Sequence, residues 1–224
     1  MTMKKTHGLI LAGTSLLLAS ASAHAAFADH LYMDVAAGPA FAQNPTIQSS
    51  PYTGGELDLD TGLRADVTLG YKICKSFAVE LDAGLIWNSV SSINGNSLST
   101  FSASADIYQV PLMVNAIYQL PLKGHLKPYV GAGVGVAIGI FESTGVPGLY
   151  FPVAGGSQNF NATDTVFAYQ AEIGVKYLLG KHAEFGLAYK FFGTTGYSWN
   201  ANNSPLKTDG IITHAVTVSF GVRF

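Results

Sequence analysis

Apolar and polar residues change places at every second position in eight separate stretches of this chain. That period puts successive side chains on opposite faces of a β-strand. The last stretch is the clearest: Ile212, His214, Val216, Val218, Phe220, Val222 and Phe224 share one face, and Thr213, Ala215, Thr217, Ser219, Gly221 and Arg223 share the other. The other seven predicted strands run over 31–41, 63–71, 77–87, 108–120, 128–141, 167–177 and 183–191. Between them, the connections 42–61, 88–106, 142–165 and 193–210 are long and rich in Ser, Asn, Thr, Gly and Pro, while 72–76, 121–127 and 178–182 are short.

Two architectures are open to eight such strands: a soluble sandwich, and a closed up-and-down barrel that crosses a membrane. Strict alternation of long and short connections is what a barrel with both termini on its short-turn side produces. Aromatic spacing decides the matter. Phe77 and Trp87, Tyr108 and Tyr118, and Phe167 and Tyr177 are three pairs on the apolar faces of their strands, each ten residues apart. Ten residues of tilted strand rise about 25 Å, the height of the apolar band between the two aromatic girdles of an outer-membrane barrel. Tyr71 and Phe224 join the same girdles. The fold expected is therefore all-β, an eight-stranded antiparallel up-and-down transmembrane barrel.

Composition agrees. Charged residues make up only 12% of the chain, and no segment beyond residue 25 has eighteen uninterrupted apolar residues. A membrane protein without an apolar helix crosses with strands. Lys4 and Lys5, the apolar run Gly8–Leu18 and the small-x-small site Ala23-His24-Ala25 read as an export signal, so the expected domains are 1–25, a signal peptide, and 26–224, the barrel. Loss of the two signal lysines takes the formal charge from −2 to −4, which points away from nucleic acid. Cys74 stands alone and reads as a free thiol in a short turn.

An eight-stranded barrel is narrow, and side chains fill much of its interior. The polar faces carry Arg64, Asp66, Glu80, Asp82, Glu172, Lys176, Glu184, Lys190 and Arg223. Asp66, Asp82 and Glu172 fall near mid-height and need cations, since unpaired buried charge costs several kcal/mol. Arg64 and Lys190 are their expected partners. The glycines of 128–141 leave room for long side chains reaching across the lumen. This network either plugs the barrel or lines a narrow pore.

Two segments carry a family resemblance: Tyr108-Gln-Val-Pro-Leu-Met-Val-Asn-Ala-Ile-Tyr118 and Lys127-Pro-Tyr-Val-Gly-Ala-Gly-Val-Gly-Val-Ala137. With the Phe-terminated last strand, they resemble the opacity-type, OmpA/OmpX-like outer-membrane barrel family, often called the porin family. The resemblance covers 26–224 and is structural. It implies an integral outer-membrane protein set in lipid and lipopolysaccharide, whose terminal strand is read by the barrel-assembly machinery and whose loops meet host, matrix, phage or antibody. It carries no catalytic residues, and a periplasmic peptidoglycan-binding domain is not expected.

Three functions compete on these terms. A surface-interaction barrel would work through its loops, where Leu149, Tyr150 and Phe151 in the third and Tyr197 and Trp199 in the fourth are candidate contacts. Their alternative is to fold back on the rim or into headgroups. A pore would need an open path through the interior charges. A lipid-modifying enzyme would need His, Ser and a carboxylate at the outer rim. His214 is the histidine at that level, its parity points to lipid, and no His-x-Ser occurs beyond residue 25, so no catalytic site is expected. No cofactor and no metal site are expected either. Asp58 and Asp60 read as ordinary exposed loop acids.

Overall fold

The computed structural model describes residues 30–48, 55–93, 95–98, 103–147, 157–201 and 204–224. Eight long antiparallel strands close on themselves: β1 (Leu31–Ala42), β2 (Gly62–Lys72), β3 (Phe77–Ile93), β4 (Ser104–Gln119), β5 (Leu126–Pro147), β6 (Ser157–Leu179), β7 (Ala183–Thr194) and β8 (Ile212–Arg223). Neighbours in sequence are neighbours in space, and β8 pairs with β1 to complete the ring, with Tyr32 opposite Arg223 and Ala42 opposite Thr213. Closure satisfies the backbone groups of both would-be edges. In hydrocarbon each group left open would cost several kcal/mol. No helix among the described residues is long and apolar enough to cross a membrane.

Burial is inverted relative to a soluble protein. Arg64, Asp66 and Asp82 are buried, at 0%, 2% and 4% exposure, while Leu81, Ile173 and Val218 stand 57%, 58% and 60% exposed on the outer wall. Alternation causes this, because each outward apolar residue is flanked by two that point into the lumen. The girdle aromatics meet across strands: Phe77 lies opposite Tyr118, ring centroids 4.9 Å apart, and ten residues along Trp87 stacks on Tyr108 at 6.4 Å. Tyr71, Phe167, Tyr177 and Phe224 also lie on the outward faces.

At the short-turn end, Gly124 and Gly180 take φ of 104° and 76°, a backbone region that side chains disfavour, and this lets the chain reverse within a few residues. The long-loop end differs from expectation. Segments 88–93, 104–106, 142–147 and 157–165, read as loop from their Ser, Thr and Asn content, continue as strand, and β5 stays paired with β6 out to Pro147–Ser157. Once two strands are registered inside the membrane, extending the ladder outward costs little order and satisfies more backbone. A bulge between Ser143 and Val146 bends this extension. Shorter strands, Leu57–Leu59 on β3 and the hairpin Ser198–Ala201 with Ser204–Lys207, build the rest of that end.

Candidate functional site

The lumen is organised in three levels. The lowest, toward the short turns, joins five strands. Lys176 of β6 binds Asp34 of β1 at 2.5 Å and Glu184 of β7 at 3.0 Å, and Arg223 of β8 lies 3.5 Å from Glu184. The Tyr32 hydroxyl donates to Glu80 at 2.5 Å, and the Lys176 ammonium sits 4.6 Å above the Tyr32 ring.

At mid-height, Arg64 of β2 donates from Nε to both oxygens of Asp66 at 2.9 Å and reaches Asp82 of β3 at 3.7 Å. Lys190 of β7 crosses the lumen to Asp66 at 3.0 Å and Asp82 at 3.2 Å, with Glu172 at 4.0 Å. Gln170 ties the layer together. It accepts from Arg64 Nη2 at 3.0 Å and donates to Asn115 at 2.8 Å and to Asp82 at 3.2 Å. Arg64, Asp66, Glu80, Asp82, Glu172, Lys176 and Lys190 are all buried toward the lumen, with Asp66, Asp82 and Glu172 around Lys190 at mid-height and Glu80 and Lys176 in the lower level. Asp34 and Tyr32 belong to the lower level and were missed. Their signal was present in Tyr32-Met-Asp-Val35, where the polar members alternate with Met33 and Val35.

At the third level Tyr197 and Trp199 are 1% and 0% exposed, so of the two readings open to them, loop contact or folding back on the rim, the structure takes the second. The fourth long connection turns into the barrel mouth and stacks these two rings at 4.8 Å, with Phe141 against Trp199 at 5.6 Å. Their polar atoms are held: Trp199 Nε1 donates to the Gly139 carbonyl at 3.1 Å, and the Tyr197 hydroxyl donates to Gln109 at 3.1 Å. Burial pushes the Tyr197 hydroxyl above its ordinary pKa; a hydrogen bond with Thr194 offsets part of this, and Asp164 adds to it. Gly139 is required here, because a Cβ at that position would overlap the Tyr197 ring.

Around this pair most of the buried inward side chains are apolar: Ile86, Ile107, Phe141, Phe192 and Ile211 are at most 1% exposed, with Asn88 and Thr213 as polar members of the same layer. Ile47, Leu57 and Leu98, from the first and second long connections, cover them. The Arg64 guanidinium lies 5.5 Å from the Phe192 ring, where the charged and apolar levels meet. The sequence signal was a change in the polar-parity positions, which turn apolar past Tyr108 at Ile107 and Ala105, and on β3 at Ile86 and Val90 on either side of Asn88. Leu149, Tyr150 and Phe151 lie outside the described residues.

Elsewhere at this end Tyr189 and Gln43 hydrogen-bond the ring nitrogens of His214, at 2.6 Å and 3.3 Å, on the outer wall. Asp58 is bound by Asn44 and Ser92, and no cluster of metal ligands occurs among the described residues. Cys74 is exposed.

Comparison with known proteins supplies the rest. No curated protein matches the chain. Among solved structures, the outer membrane protein OprG from Pseudomonas aeruginosa superposes with a TM-score of 0.56 at 18% identity, covering 88% of this chain and 97% of that one. Neisserial surface protein A superposes with a TM-score of 0.53 at 15% identity over 87% and 97%. Likeness at such identity concerns the fold. The family model "Outer membrane protein beta-barrel domain" matches residues 10–224. Its members are outer-membrane barrels rather than enzymes, and this chain belongs to that outer membrane β-barrel family.

Proposed function

We propose that this barrel is closed and works as a surface-interaction protein through its outer loops. The observation that carries the reading is the stacked Tyr197–Trp199 pair, seated in an apolar layer above a cross-linked ion layer. A solute crossing the lumen would have to displace both. The cavities within the lumen are small: about 20 Å³ between the two ion levels, room for about one water, and about 60 Å³ at the short-turn mouth. Orientation follows the strand order, with long loops outside and short turns in the periplasm.

The charge of the loop end narrows the ligand. Glu56, Asp58, Asp60, Asp106, Glu142, Asp164 and Asp209 lie there against the single basic side chain of Lys207. A polyanionic matrix chain would be repelled. A basic or neutral host ligand fits, as does lipopolysaccharide bridged by divalent cations. With Tyr197 and Trp199 turned inward, the contact segment proposed is the connection holding Leu149-Tyr150-Phe151. Deletion of 148–153 tests it. Cells displaying the shortened protein, shown to be folded by heat-modifiable migration on gels, are expected to lose attachment to a basic-protein-coated surface. Unchanged attachment would count against the loop. The pore reading is tested separately, by planar-bilayer conductance of the purified protein, which is expected to be silent.

A further inference from the structure

Charge is segregated along the barrel axis, and its basic end is concave. The first two short turns and the last strand bring Lys72, Lys75, Lys127 and Arg223 around the lumen mouth, with Lys176 as its floor and Glu184 as the acid facing them. Tyr32 and Tyr129 form the wall on which the cations rest: Lys176 Nζ is 4.6 Å and 5.7 Å from the two ring centroids, and Lys72 Nζ is 5.4 Å from that of Tyr32.

The mouth carries surplus positive charge. Lys176 is neutralised by Asp34 and Glu184, and Glu184 is shared with Arg223. Counting Lys72, Lys75, Lys127, Lys176 and Arg223 against Asp34, Glu80 and Glu184, five cations meet three anions, a formal +2. Lys127 is engaged with the Leu122 carbonyl at 2.6 Å, which leaves its charge uncompensated. Lys72 rests half-buried against an aromatic ring with no carboxylate partner among the described residues. Like charges gathered around a recess at a structural cost mark a place where an anion completes the set.

We propose that the periplasmic mouth is an anion-binding vestibule for a phosphate group, with the Lys72 and Lys75 ammoniums as its principal contacts and Arg223 as a third. A phosphate dianion matches the surplus charge, and ammoniums and guanidiniums are its usual donors. The vestibule ends on Lys176 and is a binding recess, not the entry of a channel. The proposal uses the orientation adopted above but not the closure of the outer half, so a conducting barrel would leave it standing. The same phosphate chemistry is offered by a soluble periplasmic anion and by the headgroups of the inner leaflet.

The test uses the purified, folded protein in maltoside micelles, which contain no phosphate, at constant ionic strength set with chloride. Inorganic phosphate is titrated and the backbone amide signals of the turns and strand ends are followed by NMR. Saturable shifts confined to residues near 72–78, 127–129 and 223 are expected. Lys72→Gln with Lys75→Gln is expected to weaken the apparent affinity roughly tenfold. Lys123→Gln with Lys181→Gln removes as much charge from the same rim outside the vestibule and is expected to change it less than about twofold. Lys75→Gln alone, in an exposed turn, keeps the test available if the double variant does not fold. The same shifts produced by phosphatidylglycerol nanodiscs, and not by inorganic phosphate, would assign the headgroup as the source. Shifts produced by neither probe, or equal weakening in the two double variants, would overturn the proposal.

Discussion

Trp199 is the side chain on which the proposed closure of the outer half most depends. It is large, fully buried, packed on Tyr197 and Phe141, and its one donor is satisfied by the Gly139 carbonyl. Trp199→Ala removes the packing and leaves a cavity, and the expected loss in stability is about 3–5 kcal/mol. Urea unfolding in lipid vesicles, with the slope unchanged, measures it. The chain has two tryptophans, so replacing the girdle residue Trp87 by Phe isolates Trp199 as a fluorophore. Its emission is expected to be blue-shifted and protected from iodide. Gly139→Leu, which puts a side chain where the Tyr197 ring lies, is expected to shift that emission red and expose it. Arg64 presents the electrostatic counterpart. Its removal leaves Asp66 and Asp82 buried with Lys190 as their remaining cation, and Arg64→Ala is expected to cost about 3–5 kcal/mol in the same assay. Asp66→Asn is expected to cost less, because Asp82 still pairs both cations.

Strands are where sequence and structure agree most closely, and the reason is physical. A strand spanning lipid must alternate, and a one-residue slip would turn its whole apolar face inward. Period two is therefore enforced from one girdle to the other, and β1, β2, β7 and β8 keep their expected ends to within a few residues. Beyond the outer girdle water bathes the outer face, the pattern relaxes, and Ser143, Thr144 and Thr163 look like loop while lying in β5 and β6. Tyr197 and Trp199 were illegible for another reason: they sit in a connection whose direction relative to the barrel no local period encodes. Asp34 obeys the parity of β1, but it is the one charged residue among the small and apolar side chains of that strand, so no polar face marks it. Depth along a strand sets the cost of a charge on the outer wall. Val218→Arg, toward the middle of β8, is expected to cost about 2–4 kcal/mol, and Val222→Arg, one residue from its end, about 0–1 kcal/mol. Equal costs would mean that the girdles do not bound the apolar band.

On the scale of the whole molecule, the proposed closed barrel makes the ion layer and the apolar layer two closures in series. The hairpin Ser198–Ala201 and Ser204–Lys207 carries part of the outer one, while Arg64 and Lys190 reach across the lumen below it. Removing residues 197–207 opens the mouth yet leaves the cross-linked middle in place, so that variant is expected to stay silent in planar bilayers. Arg64→Ala with Lys190→Ala, on the intact chain, is expected to stay silent too, because the stacked aromatics still cover the lumen. Combined, the two changes remove both barriers, and conductance is expected only then. Its selectivity follows from the lining. Arg64, Lys176, Lys190 and Arg223 set four cations against the six carboxylates of Asp34, Asp66, Glu80, Asp82, Glu172 and Glu184, a formal −2 before any substitution and −4 once Arg64 and Lys190 are gone. A barrel opened in this way should pass cations in preference to anions, and reversal potentials in a salt gradient give the sign directly. Conductance from either variant alone would place the whole barrier in a single layer.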